Sequence, residues 1–509
     1  MNETAHWEAV TRLLADPASY GLASDTPIAR HETHISAVFL AGDRAYKVKR
    51  PVAFGYLDFS TLARRRAACR AELEINRRSA PDLYLGLCPI RRGADGQLAL
   101  GALDADGTAP APPDTVEWVV VLHRFDTRRL LSEVLGRGAL APGSVDALAA
   151  AVADFHAKAP VAERDPAAGH REEIAGNTAE FQARPDLFDS DAVAALDQAS
   201  RAALAARRGD LAARAAAGWV RHGHGDLHAR NIVMLDHGPR LFDAIEFNAA
   251  LSEIDVLYDL AFLVMDLEQR AARWAANRLL SGYLARLDTD SGLSLLPLFL
   301  SLRAAIRAKV TAAAGGPDTE AARYFAAARA YLAPPAPCLL AIGGVSGTGK
   351  TTLARALAPD LGPAPGAVAV RSDVERKRLL GVGETERLPE SAYRGSVNAA
   401  VHARVYARAR AILAAGHAVV LEATFLRRED RAQVRRLAEA AGVAWCGLWL
   451  QAPAETLKAR VAARQGDASD ATPEVVAAQL TRAPKGATAW TEIDAGGDSD
   501  TVAARARAV

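Results

Sequence analysis

Residues 344–351 read GVSGTGKT, and this spacing of glycines, lysine and threonine restricts the local fold more than any other feature of the chain. Glycines let successive backbone N–H groups curl around an anion, a lysine reaches the outer oxygens of a polyphosphate, and the threonine hydroxyl suits a hard cation. The pattern requires a buried strand before it and a helix after it. Both are present, as the apolar run at 338–342 and a helical stretch at 350–357. Gly344, Val345, Ser346, Gly347, Thr348, Gly349, Lys350, Thr351 and Thr352 are therefore expected to bind nucleotide, with Thr351 on the metal, in an α/β P-loop domain built on a parallel sheet.

At 509 residues the chain exceeds what one core supports, so more than one domain is expected. The stretch LAPPAP at 332–337 cannot continue a helix and forms a stiff spacer. It predicts one domain over 1–333, a Pro-rich linker at 334–337 and a second domain over 338–509. A weaker division falls at 104–114. Charged residues make up 24% and hydrophobic residues 50%, with a net charge of +1, which excludes whole-chain disorder and lowers the expectation of nucleic acid as a partner. Cys69, Cys88, Cys338 and Cys446 are dispersed and form no CxxC pair, so they read as reduced thiols. Charges interrupt the N-terminal segment and every apolar stretch, so a cytoplasmic protein without a membrane span is expected.

Only eight of the 61 basic residues are lysine, and Lys47, Lys49 and Lys350 fall inside phosphate-handling patterns. Residues 38–49 read as a hairpin turning at Gly42 and Asp43, with Ala45, Lys47 and Lys49 on one face. Lys47 is the candidate for the α and β phosphates, with Lys49 in reserve. The helical stretch 64–78 offers Glu72 or Glu74 to orient it, and Glu72 is taken. Residues 116–122 read as a strand whose end could bond adenine through its backbone. The sharpest pattern is HGDLHARN at 224–231, followed by a turn and Asp243. Its HxDxxxxN spacing makes Asp226 the acceptor of a hydroxyl proton and places Asn231 and Asp243 on Mg²⁺. His224 is expected to pack and hydrogen-bond within the loop. Histidines 222, 224 and 228 could instead bind zinc, but that leaves the Asp226, Asn231 and Asp243 spacing unexplained.

This region resembles the aminoglycoside phosphotransferase family, the kinase-like fold shared with choline kinases. DVLYDLA at 255–261 and KRPVAFGYLDFSTL at 49–62 add to the match. The resemblance implies a bilobal α+β kinase-like domain using ATP. Asp255 and Asp259 read as a helix cap and a structural ion pair. No acidic aminoglycoside pocket is marked, so the family name does not name a substrate.

In the second part, the strand at 368–370 leads into Asp373 and Arg376, placed to activate an acceptor hydroxyl and to clamp an anionic group. The alternative is an N-cap and a solvated arginine. Glu422 ends a buried strand at 417–421, where a metal-handling carboxylate would sit. Arg460 and Arg464, four apart on a helix over 454–464, read as a lid over ATP. The segment resembles the P-loop kinases that include gluconate kinases and the kinase half of polynucleotide repair enzymes. Residues 494–509 read as a frayed tail. The expectation is a bifunctional ATP- and Mg²⁺-dependent kinase of small-molecule hydroxyls. The alternatives are one active kinase with a nucleotide-sensing partner domain, or a polynucleotide 5′-hydroxyl kinase. The oligomeric state is left open.

Overall fold

The computed structural model describes residues 3–509 apart from 56, 317, 465 and 485–488. Tyr56, inside the 49–62 stretch, thus lies outside the described residues. Two compact units are present, Met1–Arg164 with Gly218–Asp259, and Asp165–Ala217 with Leu260–Val509.

The first unit is built on a six-stranded antiparallel sheet. Its order is Ala29–Glu32, Ser36–Ala41, Arg44–Lys49, Thr115–His123, Tyr84–Arg92, Leu98–Leu100. Strand periodicity sorts the residues of Arg44–Lys49 between its two faces. Tyr46 and Val48 enter a core with Val10 and Leu14 of the helix Glu3–Ala15. Ala45 enters the opposite core with Cys69 and Leu73 of the helix Leu62–Asn76, which Thr61 caps at Arg64. Lys47 and Lys49 share the Ala45 face, so both ammonium groups meet this helix. Farther on, the hairpin Ile232–Leu235 with Gly238–Leu241 brings the ends of the 224–243 segment back together.

The second unit combines helices with a five-stranded parallel sheet. Phe181, Phe188 and Phe325 close one helical cluster, with ring centroids 4.6 to 5.1 Å apart. The sheet runs Val368–Arg371, Val419–Glu422, Cys338–Gly343, Ala444–Gln451, Thr491–Asp494, and all four pairings are parallel. The strand preceding the glycine loop is central, flanked by strands later in the chain. Such a reversal of order opens a crevice at the strand ends. The Pro-rich stretch 334–337 lies within this unit, between the helix Asp318–Tyr331 and the central strand. No helix among the described residues is long and apolar enough to cross a membrane.

The expected frayed tail is instead ordered. Thr491–Asp494 is the fifth strand, and Asp498 caps a helix Ser499–Arg507 by accepting from Asp500 and Thr501. Val502, Ala503 and Ala506 then pack with Leu353 and Leu357 of the helix Lys350–Leu357.

His417, just before the strand Val419–Glu422, is fully buried and its Nε2 meets the Gly366 carbonyl at 3.0 Å. Burial lowers its pKa to about 4, against the partial opposition of that hydrogen bond. The folded unit therefore prefers neutral imidazole. The stability this gives is complete above the ordinary histidine pKa and is lost as pH falls through about 4. The loss is on the order of 3 kcal/mol. Hydrogen exchange of the Val419–Glu422 amides at pH 7 and pH 4 is expected to show it, and His417→Gln is expected to flatten the dependence.

Candidate active sites

In the first unit, Glu72 is fully buried and serves both lysines. Its Oε1 lies 2.8 Å from Lys47 Nζ and its Oε2 lies 2.7 Å from Lys49 Nζ. Glu74, the other candidate, is exposed. Lys47 also pairs with Asp243, and Lys49 with Glu246, whose side chain is 5% exposed. Lys49 further lies over the Phe59 ring, 5.0 Å from its centroid. Burial alone would push the Glu72 carboxyl up, but the two ammonium groups hold it down at about 2. Burial likewise opposes the Lys47 charge, and Asp243 and Glu72 more than offset it. Glu72 and Lys47 are therefore held in their charged forms.

Asp243 follows the hairpin with φ of 62°, a conformation uncommon outside glycine. Its backbone N–H donates to the Tyr84 hydroxyl at 3.1 Å, and the next N–H, of Ala244, donates to Asn76 Oδ1 at 2.9 Å. Asn76 sits one turn after Glu72, so one helix orients both the lysine pair and the Asp243 turn. Asn231 Nδ2 donates to the Asp226 carboxylate at 3.1 Å and to its carbonyl at 3.0 Å. With its nitrogen so used, the Asn231 amide oxygen is the atom suited to a hard cation. Asp243 has its carboxylate nearly half exposed, so an oxygen-donor pair at a hairpin mouth fits magnesium chemically.

The loop bearing Asp226 is fixed from behind. Asp259, fully buried, accepts from the backbone N–H groups of His224 and Gly225 and lies 3.2 Å from His156 Nε2. Asp255 caps its helix at Leu257. Asp259 thus anchors the loop and also makes a buried structural pair, with His156, of the kind the sequence suggested. His224 is buried beneath the loop, its Nε2 3.0 Å from the Phe242 carbonyl. His228 instead caps the following turn at Arg230. Asp259→Ala would strand two buried N–H groups. It is expected to lower the stability of this unit by roughly 3 kcal/mol, read as a denaturation midpoint, while Asp255→Ala is expected to cost about 1 kcal/mol.

In the second unit, Gly344, Gly347 and Gly349 all have positive φ. A Cβ on Gly344 would lie 2.7 Å from the Leu450 carbonyl, and one on Gly347 the same distance from that of Leu457. Neither position admits another residue. Lys350 Nζ lies over the loop, donating to the carbonyls of Gly344 and Val345 at 2.9 and 3.0 Å. Val345 packs on Leu457, Val461 and Val476, and Gln479 accepts from the Ser346 N–H at 2.7 Å. Thr348 is buried and its hydroxyl donates to the Val345 carbonyl; Thr352 is exposed. Thr351 shares its hydroxyl with Glu422, whose second oxygen is 3.3 Å from Arg371 Nε. Arg371 also reaches Asp467 at 2.9 Å and Glu384 at 3.3 Å.

Asp373 opens the helix Ser372–Leu379. Burial and the facing Glu422 raise its pKa, with Lys350 and Arg371 acting in opposition. Burial lowers the pKa of Lys350, against Glu422 and Asp373. Arg376 is buried rather than solvated, stacked 4.6 Å from the Tyr393 ring centroid and donating to the Ala392 carbonyl. Its Nε is buried without a hydrogen-bond partner. The expected lid arginines part company because their helix, Ala454–Ala462, ends before Arg464. Arg464 pairs with Asp467 and lies within the electrostatic reach of Lys350, whereas Arg460 donates to the carbonyls of Ala495 and Gly497. Sequence reasoning missed Glu246 and Arg371, and it missed that Lys377 pins Asp470 at 2.8 Å. The rarity of lysine was a signal for the last.

Comparison with known proteins places the chain in a family. The uncharacterized proteins Rv2004c of Mycobacterium tuberculosis and Mb2027c of Mycobacterium bovis are each 32% identical over 495 residues, covering 94% of this chain and 93% of theirs. The chain belongs to this family. A family model described as an AAA domain matches residues 339–485. The adenylyl-sulfate kinase of Myxococcus xanthus is 34% identical over 123 residues, 24% of this chain and 62% of that one. Among solved structures, a choline/ethanolamine kinase family protein from Mesorhizobium loti is 14% identical, covering 63% of this chain and 95% of that one, with a TM-score of 0.37. The chain joins a part carrying an antiparallel sheet to a part, matched by the AAA-domain model, carrying a parallel one.

Proposed function

We propose that the protein is a bifunctional ATP-dependent kinase that transfers the γ-phosphoryl group to hydroxyls of small molecules at two separate sites. The observation that carries this reading is that each unit pairs a phosphate-directed lysine with its own candidate base. Lys47 and Asp226 form the first set, Lys350 and Asp373 the second. In the first site, Glu72 orients Lys47 toward the α and β phosphates, and Asp226 accepts the acceptor's hydroxyl proton. Asn231, by donating to Asp226, keeps that carboxylate turned toward the acceptor. In the second, the backbone of residues 344–349 cradles the β-phosphate, Lys350 turns from its loop carbonyls to the β and γ oxygens, and Arg464 adds charge at the same end.

Magnesium would neutralise phosphate charge in both sites, held by Asn231 and Asp243 in one and by Thr351, with Glu422 behind it, in the other. The raised pKa of Asp373 brings it nearer the range where a general base works, so turnover at this site is expected to rise with pH as this carboxyl ionises. The unpartnered Nε of Arg376, a guanidinium that already faces Asp373 and Asp470, suits an acceptor bearing an anionic group. The test is transfer of labelled γ-phosphate to a panel of small alcohols by the full chain, with each site silenced in turn. An acceptor lost with one site and kept with the other supports the reading. Transfer that survives with both sites silenced rejects it.

A further inference from the structure

The segment that carries Arg371, Asp373 and Arg376 is held by residues outside the P-loop part of the sequence, yet inside the same compact unit. Strand Val368–Arg371 is the edge of the parallel sheet, and the helix Arg273–Leu284 covers it. Asn277 Nδ2 donates to the Ala367 carbonyl at 2.9 Å, and Ser281 Oγ accepts from the Ala369 N–H at 3.2 Å. Beyond this edge lies a buried ionic relay. Arg408 grips Asp290 with two parallel bonds, Nε to Oδ2 at 2.7 Å and a terminal nitrogen to Oδ1 at 2.8 Å. Its remaining terminal nitrogen donates to Glu375 Oε1 at 2.5 Å. Glu375 is fully buried, and its other oxygen accepts from Arg404 at 2.6 Å. Arg378 and Arg404 extend the relay to the exposed Asp288.

A buried ion pair contributes little net stability, because desolvating the charges offsets their attraction. What a forked, two-point grip on a guanidinium does supply is orientation. Glu375 and Asp373 are two residues apart on one helix, so they project on nearly opposite sides of its axis. A rotation of about 20° at Glu375 would swing a carboxylate ~5 Å from the axis by about 2 Å. A displacement of about 1 Å is enough to lower phosphoryl transfer by about two orders of magnitude.

We propose that Asp290 is a positioning residue for the P-loop site: through Arg408 and Glu375 it fixes the rotation of the helix Ser372–Leu379 and so the aim of Asp373. The inference rests on the reading of Asp373 as the base. Its consequence is that the second active site is completed by a residue contributed from the sequence of the first kinase-like half.

The experiment uses the full chain with Asp226→Asn silencing the first site, MgATP as the probe and water as the acceptor, with phosphate release measured. Asp290→Asn is expected to lower kcat at least tenfold, leave KM for ATP within twofold and flatten the acidic limb of the pH profile. Arg408→Lys, which keeps a charge without the fork, is expected to behave alike. Adding Glu375→Gln to Asp290→Asn is expected to bring no further loss, since both break one relay. An unchanged kcat, a kcat and KM that move together, or losses that multiply would each overturn the inference. If Asp290→Asn does not fold, Arg408→Lys decides by the same criteria. Asp373→Asn in the same background separates the two levels. If it leaves kcat unchanged, or if that background shows no turnover, the reading of Asp373 fails, and this inference with it.

Discussion

Asp226→Asn is expected to lower kcat at the kinase-like site about 10³-fold while leaving KM for ATP within twofold, the loss typical of a removed general base. The substitution keeps the size of the side chain and one oxygen to accept from Asn231, so the loop 224–231 retains its shape. Asp259 still holds the loop from behind through His224 and Gly225. What disappears is the charge that takes the hydroxyl proton. Labelled phosphate transfer to the acceptor of this site, measured with Lys350→Ala in the background, reads the effect. A loss below tenfold would remove Asp226 from the chemistry and leave Asn231 bonded to a merely structural carboxylate.

Lys350→Ala is expected to have the next largest effect, lowering kcat/KM for ATP at the P-loop site about 10³-fold, which corresponds to roughly 4 kcal/mol of transition-state stabilisation. Two contributions act together. The charge-assisted bonds to the outer phosphates are lost. The ammonium that partly offsets the effects of burial and Glu422 on Asp373 is lost as well. Removing it raises the Asp373 pKa further, so the acidic limb of the pH profile moves to higher pH. Lys350→Arg is expected to recover that limb more than the rate, because a planar fork restores charge without fitting the cradle. These profiles, taken in the Asp226→Asn background, separate electrostatic tuning from phosphate binding. An unshifted limb in Lys350→Ala would show that the lysine does not tune Asp373.

The residues legible in the sequence are those whose chemistry depends on fixed local spacing. Asp226, Asn231 and Asp243 lie on one loop and one hairpin, and residues 344–351 form one turn into one helix, so counting along the chain was enough. Glu72 was distinguishable from Glu74 only once the helix Leu62–Asn76 had a face against the sheet. Glu246 was not legible, because no rule ties the third residue after Asp243 to a lysine nearly 200 positions earlier. Arg371 was passed over for Arg376 because its partners Glu422, Asp467 and Glu384 come from three separate segments. The C-terminal helix was readable but misjudged. Glycines and aspartates at 494–498 read as coil, although Asp498 ahead of Val502, Ala503 and Ala506 is a cap followed by helical spacing.

The lysine cluster of the first unit also has a charge parity. Two ammonium groups, Lys47 and Lys49, face the carboxylates of Glu72, Asp243 and Glu246, and Asp226 adds a fourth from the neighbouring loop. Counted as formal charges, the shortfall of two positive charges equals the charge of one divalent cation. A tetravalent nucleotide arriving alone would deepen the deficit, while the same nucleotide carrying its metal would bring part of the compensation with it. On the proposed function, the valence of the pocket would favour the metal-bound form of a nucleotide before any single ligand contact is made.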